Sequence, residues 1–149
     1  MKPTERIILM GHGSPRKEAN TIDMIVKLLH DRLHPSCTED CVKASYLQFA
    51  DPGIMSAIEQ CVGEGATRIT LHPFFLSYGV HVTKDIPEII DMARQRFPHV
   101  EFICTEPLGV HDKLVDIVAE RIRSAAFTAP HDIETRSFEI INEEADLDG

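Results

Sequence analysis

Apolar residues along this chain fall into two alternating spacings, and the alternation lays out its elements. Residues 69–76 (ITLHPFFL) are a continuous apolar run of the kind that a strand buried on both faces requires; 6–10 (RIILM) read as another buried strand, and 42–49 (VKASYLQF) and 100–104 as two more strands. Between them the apolar positions recur at helical spacing. Ile22, Ile25, Val26, Leu29 and Leu33 form one stripe in a predicted helix over 18–33, which Pro35 and Ser36 end. Asp51-Pro52 reads as a cap followed by a proline at the first helical position, opening a second helix with Ile54, Ile58, Cys61 and Val62 on one side. Ile86, Ile89, Ile90, Ala93 and Phe97 mark a third, stopped by Pro98, and Leu114, Val115, Val118 and Ile122 are predicted to be the buried stripe of a fourth over 112–125. Four strand–helix units in succession predict an α/β fold: an open, parallel, four-stranded sheet, doubly wound, with helices on both faces.

Length changes this picture little, since 149 residues suit a single domain with a real core. Charge changes it more. Residues 132–149 hold seven acids against Arg136 alone, so −6 of the net −9 lies there. We therefore expect a single α/β domain over 1–126 and an acidic tail over 127–149, in which only 138–141 has strand character. No basic face suggests nucleic acid. No leader is visible and no apolar run approaches the ~20 residues of a membrane span, so a cytoplasmic protein is expected. Cys37 and Cys41 are read as lacking a second Cys/His pair at zinc-site spacing, and all four cysteines are expected to be reduced, packing thiols.

Candidate chemistry gathers where strands end. In open α/β sheets ligands bind outside the carboxyl ends of the strands. His12 follows the first strand within Gly11-His12-Gly13-Ser14. His81 follows the third, on a predicted short loop after Ser77-Tyr78-Gly79, where Gly79 permits unusual backbone angles. Glu106 and His111 follow the fourth. An imidazole with pKa near ~6.5 exchanges protons at neutral pH, and its neutral ring binds transition metals. Two of them facing a cleft suit metal handling, proton abstraction, or both. The glycine-rich turn lacks the full G-x-G-x-x-G pattern, with Arg16 in the third glycine's place, and no P-loop Lys-Ser pair or nucleophile elbow is present. Asp85 reads as an N-cap and His111 as a neighbour of one. Tyr78 either stacks on a ligand or packs. Ser14, Arg16, Lys17 and Lys84 are candidates for a ligand carboxylate. His30, His34, His72, His99 and His131 are read as structural or exposed.

At these residues the chain resembles a family. Gly11-His12-Gly13-Ser14 with Ala19-Asn20, Ala50-Asp51-Pro52, Pro73-Phe74-Phe75-Leu76 with Gly79, His81, Asp85, Ile86 and Pro87, and Glu106-Pro107-Leu108-Gly109 together look like the short, CbiX-type sirohydrochlorin chelatases over about residues 5 to 125. The resemblance implies a chelatase-like fold of flavodoxin-like layering. It also implies ATP-independent insertion of a divalent metal into sirohydrochlorin, with cobalt favoured over nickel or iron, and no tightly bound cofactor. His12 and His81 would be both catalytic and metal ligands, with Glu106 as a further metal contact. Gly11, Gly13, Ser14, Arg16, Tyr78, Gly79 and Lys84 would meet the tetrapyrrole. A homodimer is implied too, because longer relatives join two such lobes around one cleft. The alternative from another class is a non-catalytic tetrapyrrole or metal carrier on the same fold.

Overall fold

The apolar runs assemble as a parallel sheet. In the computed structural model, which describes residues 4–125, the strands are β1 (Glu5–Gly11), β2 (Val42–Tyr46), β3 (Arg68–Pro73) and β4 (Glu101–Cys104), in the order β2-β1-β3-β4. β1 is central, with Leu9 opposite Ala44 on one side and His72 on the other. The helices are α1 (Ile22–Leu33), α2 (Ile54–Gly63), α3 (Ile86–Arg96) and α4 (Asp112–Arg123).

Side chains alternate across a strand, so β1 feeds two cores. Ile8 and Met10 pack with Ile69 and Leu71 against α2 and α3. Leu9 packs with Val42, Ala44 and Tyr46 against α1. Helices thus cover both faces. Each apolar strand residue contributes about 1.5–3 kcal/mol when fully buried, which is why these runs carry few polar residues. Ser45 is buried among them with its hydroxyl donating to the Leu9 carbonyl at 3.1 Å.

At the amino end of the sheet two cations are buried, each with partners. Arg6 lies 3.2 Å from Glu39 and 3.4 Å from Glu64, and Lys43 lies 2.8 Å from Asp40 and 3.2 Å from Glu64. Burial works against the Lys43 charge, but the hydrogen bonds it donates to Asp40 and Glu64 outweigh that and raise its pKa. Burial likewise works against the charge of Glu64, and Lys43, Gln60 and Arg6 together hold its carboxyl below the ordinary value.

Several expected boundaries shift. The first helix starts at Ile22, because a separate 3-10 turn, Lys17–Ala19, precedes it. The second strand stops at Tyr46 and the third at Pro73, short of the expected ends at 49 and 76. Asp51-Pro52 is a cis peptide ahead of the second helix, whose N-cap is Gly53, so the proline does not open that helix.

The chain divides into two units, Met1–Val110 with the sheet, and His111–Gly149, of which α4 is the described helix. The predicted burial of the α4 stripe is not met. Val115, Val118 and Ile122 are 60, 56 and 70 % exposed, since an amphipathic stripe stays open to solvent until another surface covers it. The expected acidic tail and its 138–141 segment lie outside the described residues.

Candidate functional site

The sheet brings His12 and His81 together through the way its strands end. Pairing between β1 and the chain after β2 continues past the strands, with Leu47 N donating to Gly11 O at 2.9 Å and Gln48 N to His12 O at 3.1 Å. Gly13 has φ +89°, and a Cβ there would lie 1.8 Å from the Gln48 carbonyl oxygen, so only glycine fits. His12 is held at the rim by backbone.

His81 arrives from the other side of β1. It opens a π-helical turn, His81–Asp85, that runs straight into α3. The expected short loop is therefore helical at His81, and the wide turn sets Asp85 below the imidazole. His81 Nδ1 lies 2.7 Å from Asp85 Oδ2. Asp85 makes no cap hydrogen bond, in contrast to its expected role; its carboxylate is turned to the imidazole instead. Gly79 is not at positive φ, so the freedom expected of it is unused. Its carbonyl accepts from Val82 N, Thr83 N and Thr83 Oγ1.

The rings of His12 and His81 meet edge to face, 4.9 Å between centroids and 69° between planes. A metal bound at the usual ~2.0–2.1 Å from two imidazole nitrogens places their centroids about 5 Å apart at a tetrahedral angle. Phe75 stacks on His81 at 6.4 Å, and Phe49 lies 6.4 Å from His12.

Hydrogen bonds fix the tautomers. His81 Nδ1–H donates to Asp85, leaving Nε2 as the lone-pair nitrogen, the arrangement that carboxylates impose on metal-binding histidines. His12 Nδ1 faces the Gly13 carbonyl at 3.1 Å, and its Nε2 accepts from the Gln48 side-chain amide at 2.9 Å. In both rings Nδ1 is turned to an oxygen, which makes Nε2 the nitrogen that would take a metal or a proton.

The remaining candidates divide. Gly11, Gly13 and Ser14 line a cleft of about 260 Å³ with His12, Tyr46 and Phe75. The Ser14 amide donates to Asn20 Oδ1 at 2.9 Å and its hydroxyl accepts from Arg16 N at 3.1 Å, so both are engaged locally. Arg16 is exposed and lies 3.2 Å from Glu18; Lys84 is exposed. Burial, and then the neighbouring Glu106 carboxylate, push the Tyr78 phenol up, which places Glu106 beside Tyr78. His111 is itself the cap of α4, its Nδ1 accepting from Lys113 N at 3.0 Å. Gln48 and Phe49 were not singled out from sequence, since only the strand order reveals that the chain after β2 flanks His12.

The structure is thus a parallel α/β lobe presenting two imidazoles at the carboxyl end of its sheet, the side chains suited to metal binding and proton transfer. Comparison with known proteins narrows it. The family model CbiX matches residues 6–125. A sirohydrochlorin cobaltochelatase of Methanosarcina barkeri is 31% identical over 129 residues, covering 80% of this chain and 95% of the relative. A chloroplastic sirohydrochlorin ferrochelatase of Arabidopsis thaliana is 35% identical over 119 residues, covering 78% of this chain but 51% of the relative. The solved structure of SirB from Bacillus subtilis with Fe3+ superposes with a TM-score of 0.70 at 29% identity, covering 84% of this chain and 48% of that one. The chain therefore belongs to the CbiX family, and it spans about half the length, or less, of several of the curated relatives it matches.

Proposed function

We propose that this chain is a sirohydrochlorin metallochelatase, inserting a divalent metal ion into the macrocycle without ATP. The observation that carries the reading is the His12–His81 pair, 4.9 Å apart, with Asp85 on the Nδ1 of His81. Insertion exchanges one dication for two pyrrole protons. A neutral imidazole Nε2 serves as acceptor for such a proton, and the same lone pair holds the incoming ion beforehand. Two ligands hold an ion without enclosing it, which suits a metal that must leave.

The substrate's other demands match what lies nearby. Phe49, Leu76, Tyr78 and Val80 are exposed apolar side chains on the loops leaving the second and third strands, a surface suited to a flat macrocycle. Arg16, Lys17 and Lys84 would meet its carboxylates, and Glu106 would take protons or touch the ion. A cleft of about 260 Å³ is below the ~300–1,000 Å³ common for ligand sites. One lobe then supplies one wall, and a homodimer supplies the other. Cobalt is the favoured ion because the full-length-matched relative is named a cobaltochelatase, with iron and nickel as the competing ions.

The test is an insertion assay on the full chain. Initial rates with sirohydrochlorin and Co2+, Ni2+ or Fe2+ should exceed the uncatalysed rate, most with Co2+, and should collapse in His12→Ala and His81→Ala. Binding of the macrocycle without faster insertion would identify a carrier instead.

A further inference from the structure

A second group of metal-ligand side chains lies at the opposite end of the sheet. His30 is in the last turn of α1, and Cys37 and Cys41 occupy the connection into β2. Each offers a ligand atom, and the three atoms lie within 4.8 Å of one another. Cys37 Sγ and Cys41 Sγ are 3.6 Å apart, and both are free thiols. That separation is far beyond the ~2.05 Å of a disulfide. It is close to the ~3.8 Å edge of a tetrahedron whose metal–sulfur bonds are about 2.3 Å.

We propose that His30, Cys37 and Cys41 form a second metal site, for a thiophilic tetrahedral dication such as Zn2+ or Co2+, separate from the cleft of His12 and His81. The side chains are already arranged for it. The Glu39 carbonyl accepts from His30 Nε2 at 3.0 Å, from Cys41 N at 2.9 Å and from Cys37 Sγ at 3.6 Å, so these groups converge on one point. His30 Nδ1 faces the Asp31 carboxylate at 3.3 Å. When Nε2 takes a metal, the ring proton moves to Nδ1 and Asp31 receives its hydrogen bond, as outer carboxylates do for metal-bound histidines. The dication replaces the two thiol protons, which leave to solvent. The chemistry of the thiols agrees. Hydrogen bonding with His30, and then with the Glu39 backbone, pulls the Cys37 thiol down, and Cys37 and Asp31 in turn push the His30 imidazolium up.

The spacing H-x3-H-x2-C-x3-C, from His30 to Cys41, is legible in the sequence once histidines and cysteines are read together. His30 is a partner that the reading of Cys37 and Cys41 as packing thiols leaves out. His34, one turn after His30 with ring centroids 6.2 Å apart, stands beside the group, and three protein ligands leave the fourth position to water. Such an ion would fasten the end of α1 to the start of β2, so its binding energy becomes folding energy.

Cobalt titration of the reduced, full-length protein tests this, because sulfur-to-cobalt charge transfer in the near ultraviolet reports thiolate ligands only. The wild type and His12→Ala should both develop the band to one equivalent, and Zn2+ should abolish it. Cys37→Ser and His30→Ala, with unchanged far-ultraviolet circular dichroism, should lose the band and the rise in melting temperature that Zn2+ gives the wild type. Absence of the band in the wild type overturns the proposal, as does its persistence in Cys37→Ser. So does protein prepared without reductant in which Cys37 and Cys41 are joined as a disulfide and Zn2+ does not bind after reduction.

Discussion

The two ends of the sheet treat polar groups in opposite ways. At the amino end Arg6 and Lys43 are buried and answered by Glu39, Asp40 and Glu64, so each charge is spent on a neighbour. At the carboxyl end one nitrogen of each imidazole is paired with a fixed oxygen, the Gly13 carbonyl for His12 and the Asp85 carboxylate for His81, and the other nitrogen of His12 meets only the Gln48 side-chain amide. A paired polar group makes structure. A lightly held one makes a site, because its lone pair is oriented and can exchange a side-chain amide for a ligand.

The comparison breaks first at the cleft. His12→Ala and His81→Ala should each lower metal insertion by about 10²–10⁴-fold, the usual worth of a positioned proton acceptor. Melting temperature should barely move, since both side chains sit at the rim. Near wild-type insertion in both variants would remove the cleft from the reaction. Asp85→Asn keeps the shape and removes the carboxylate that orients His81, so insertion should fall about 10–100-fold. A selective loss of metal affinity over macrocycle affinity would separate this positioning role from a contact with the substrate.

The amino end should respond in stability and not in insertion. Glu64→Gln weakens the partner shared by Arg6 and Lys43, and should cost about 1–3 kcal/mol by chemical denaturation. The pH dependence follows from the same pairing. Glu64 has a lowered pKa in the fold, so its contribution is complete above the ordinary value of 4.5 and is lost as pH falls through the lower folded value. Lys43 is raised, so its contribution holds below the ordinary value of 10.5 and fades as pH rises through the folded one. The stability gap between wild type and Glu64→Gln should therefore close in acid. A gap that stays constant from neutral pH to pH 3 would show that the pair does not carry it.

The smallest effect belongs to Gln48. Its amide occupies His12 Nε2, so Gln48→Leu frees that lone pair and should tighten metal binding in the cleft by about 2–10-fold, the net worth of one hydrogen bond. Weaker binding would mean that Gln48 aims the ring more than it competes for it.

Much of this was readable in the residues. The first and third strands are the continuous apolar runs of buried parallel strands, and residues that follow such runs must gather at one edge, which singled out His12 and His81. What escaped depended on geometry that spacing does not carry. A π-helical turn and an ordinary N-cap share the same residues, so Asp85 was assigned to the backbone when it serves His81. Gln48 required the order of the strands. His30, Cys37 and Cys41 join a helix end to a strand start, and reading the cysteines apart from the histidines hid them.

The bare stripe on α4 has a consequence for molecularity. Val115, Val118 and Ile122 are apolar surface that water disfavours, and each way of covering them has its own reaction order. Covering by a second copy is bimolecular, so the melting temperature would climb with protein concentration. Covering by residues 126–149 of the same chain is unimolecular, and dilution would change nothing. A dilution series of thermal melts, run on the full chain and on one ending at residue 125, reads out which of the two holds.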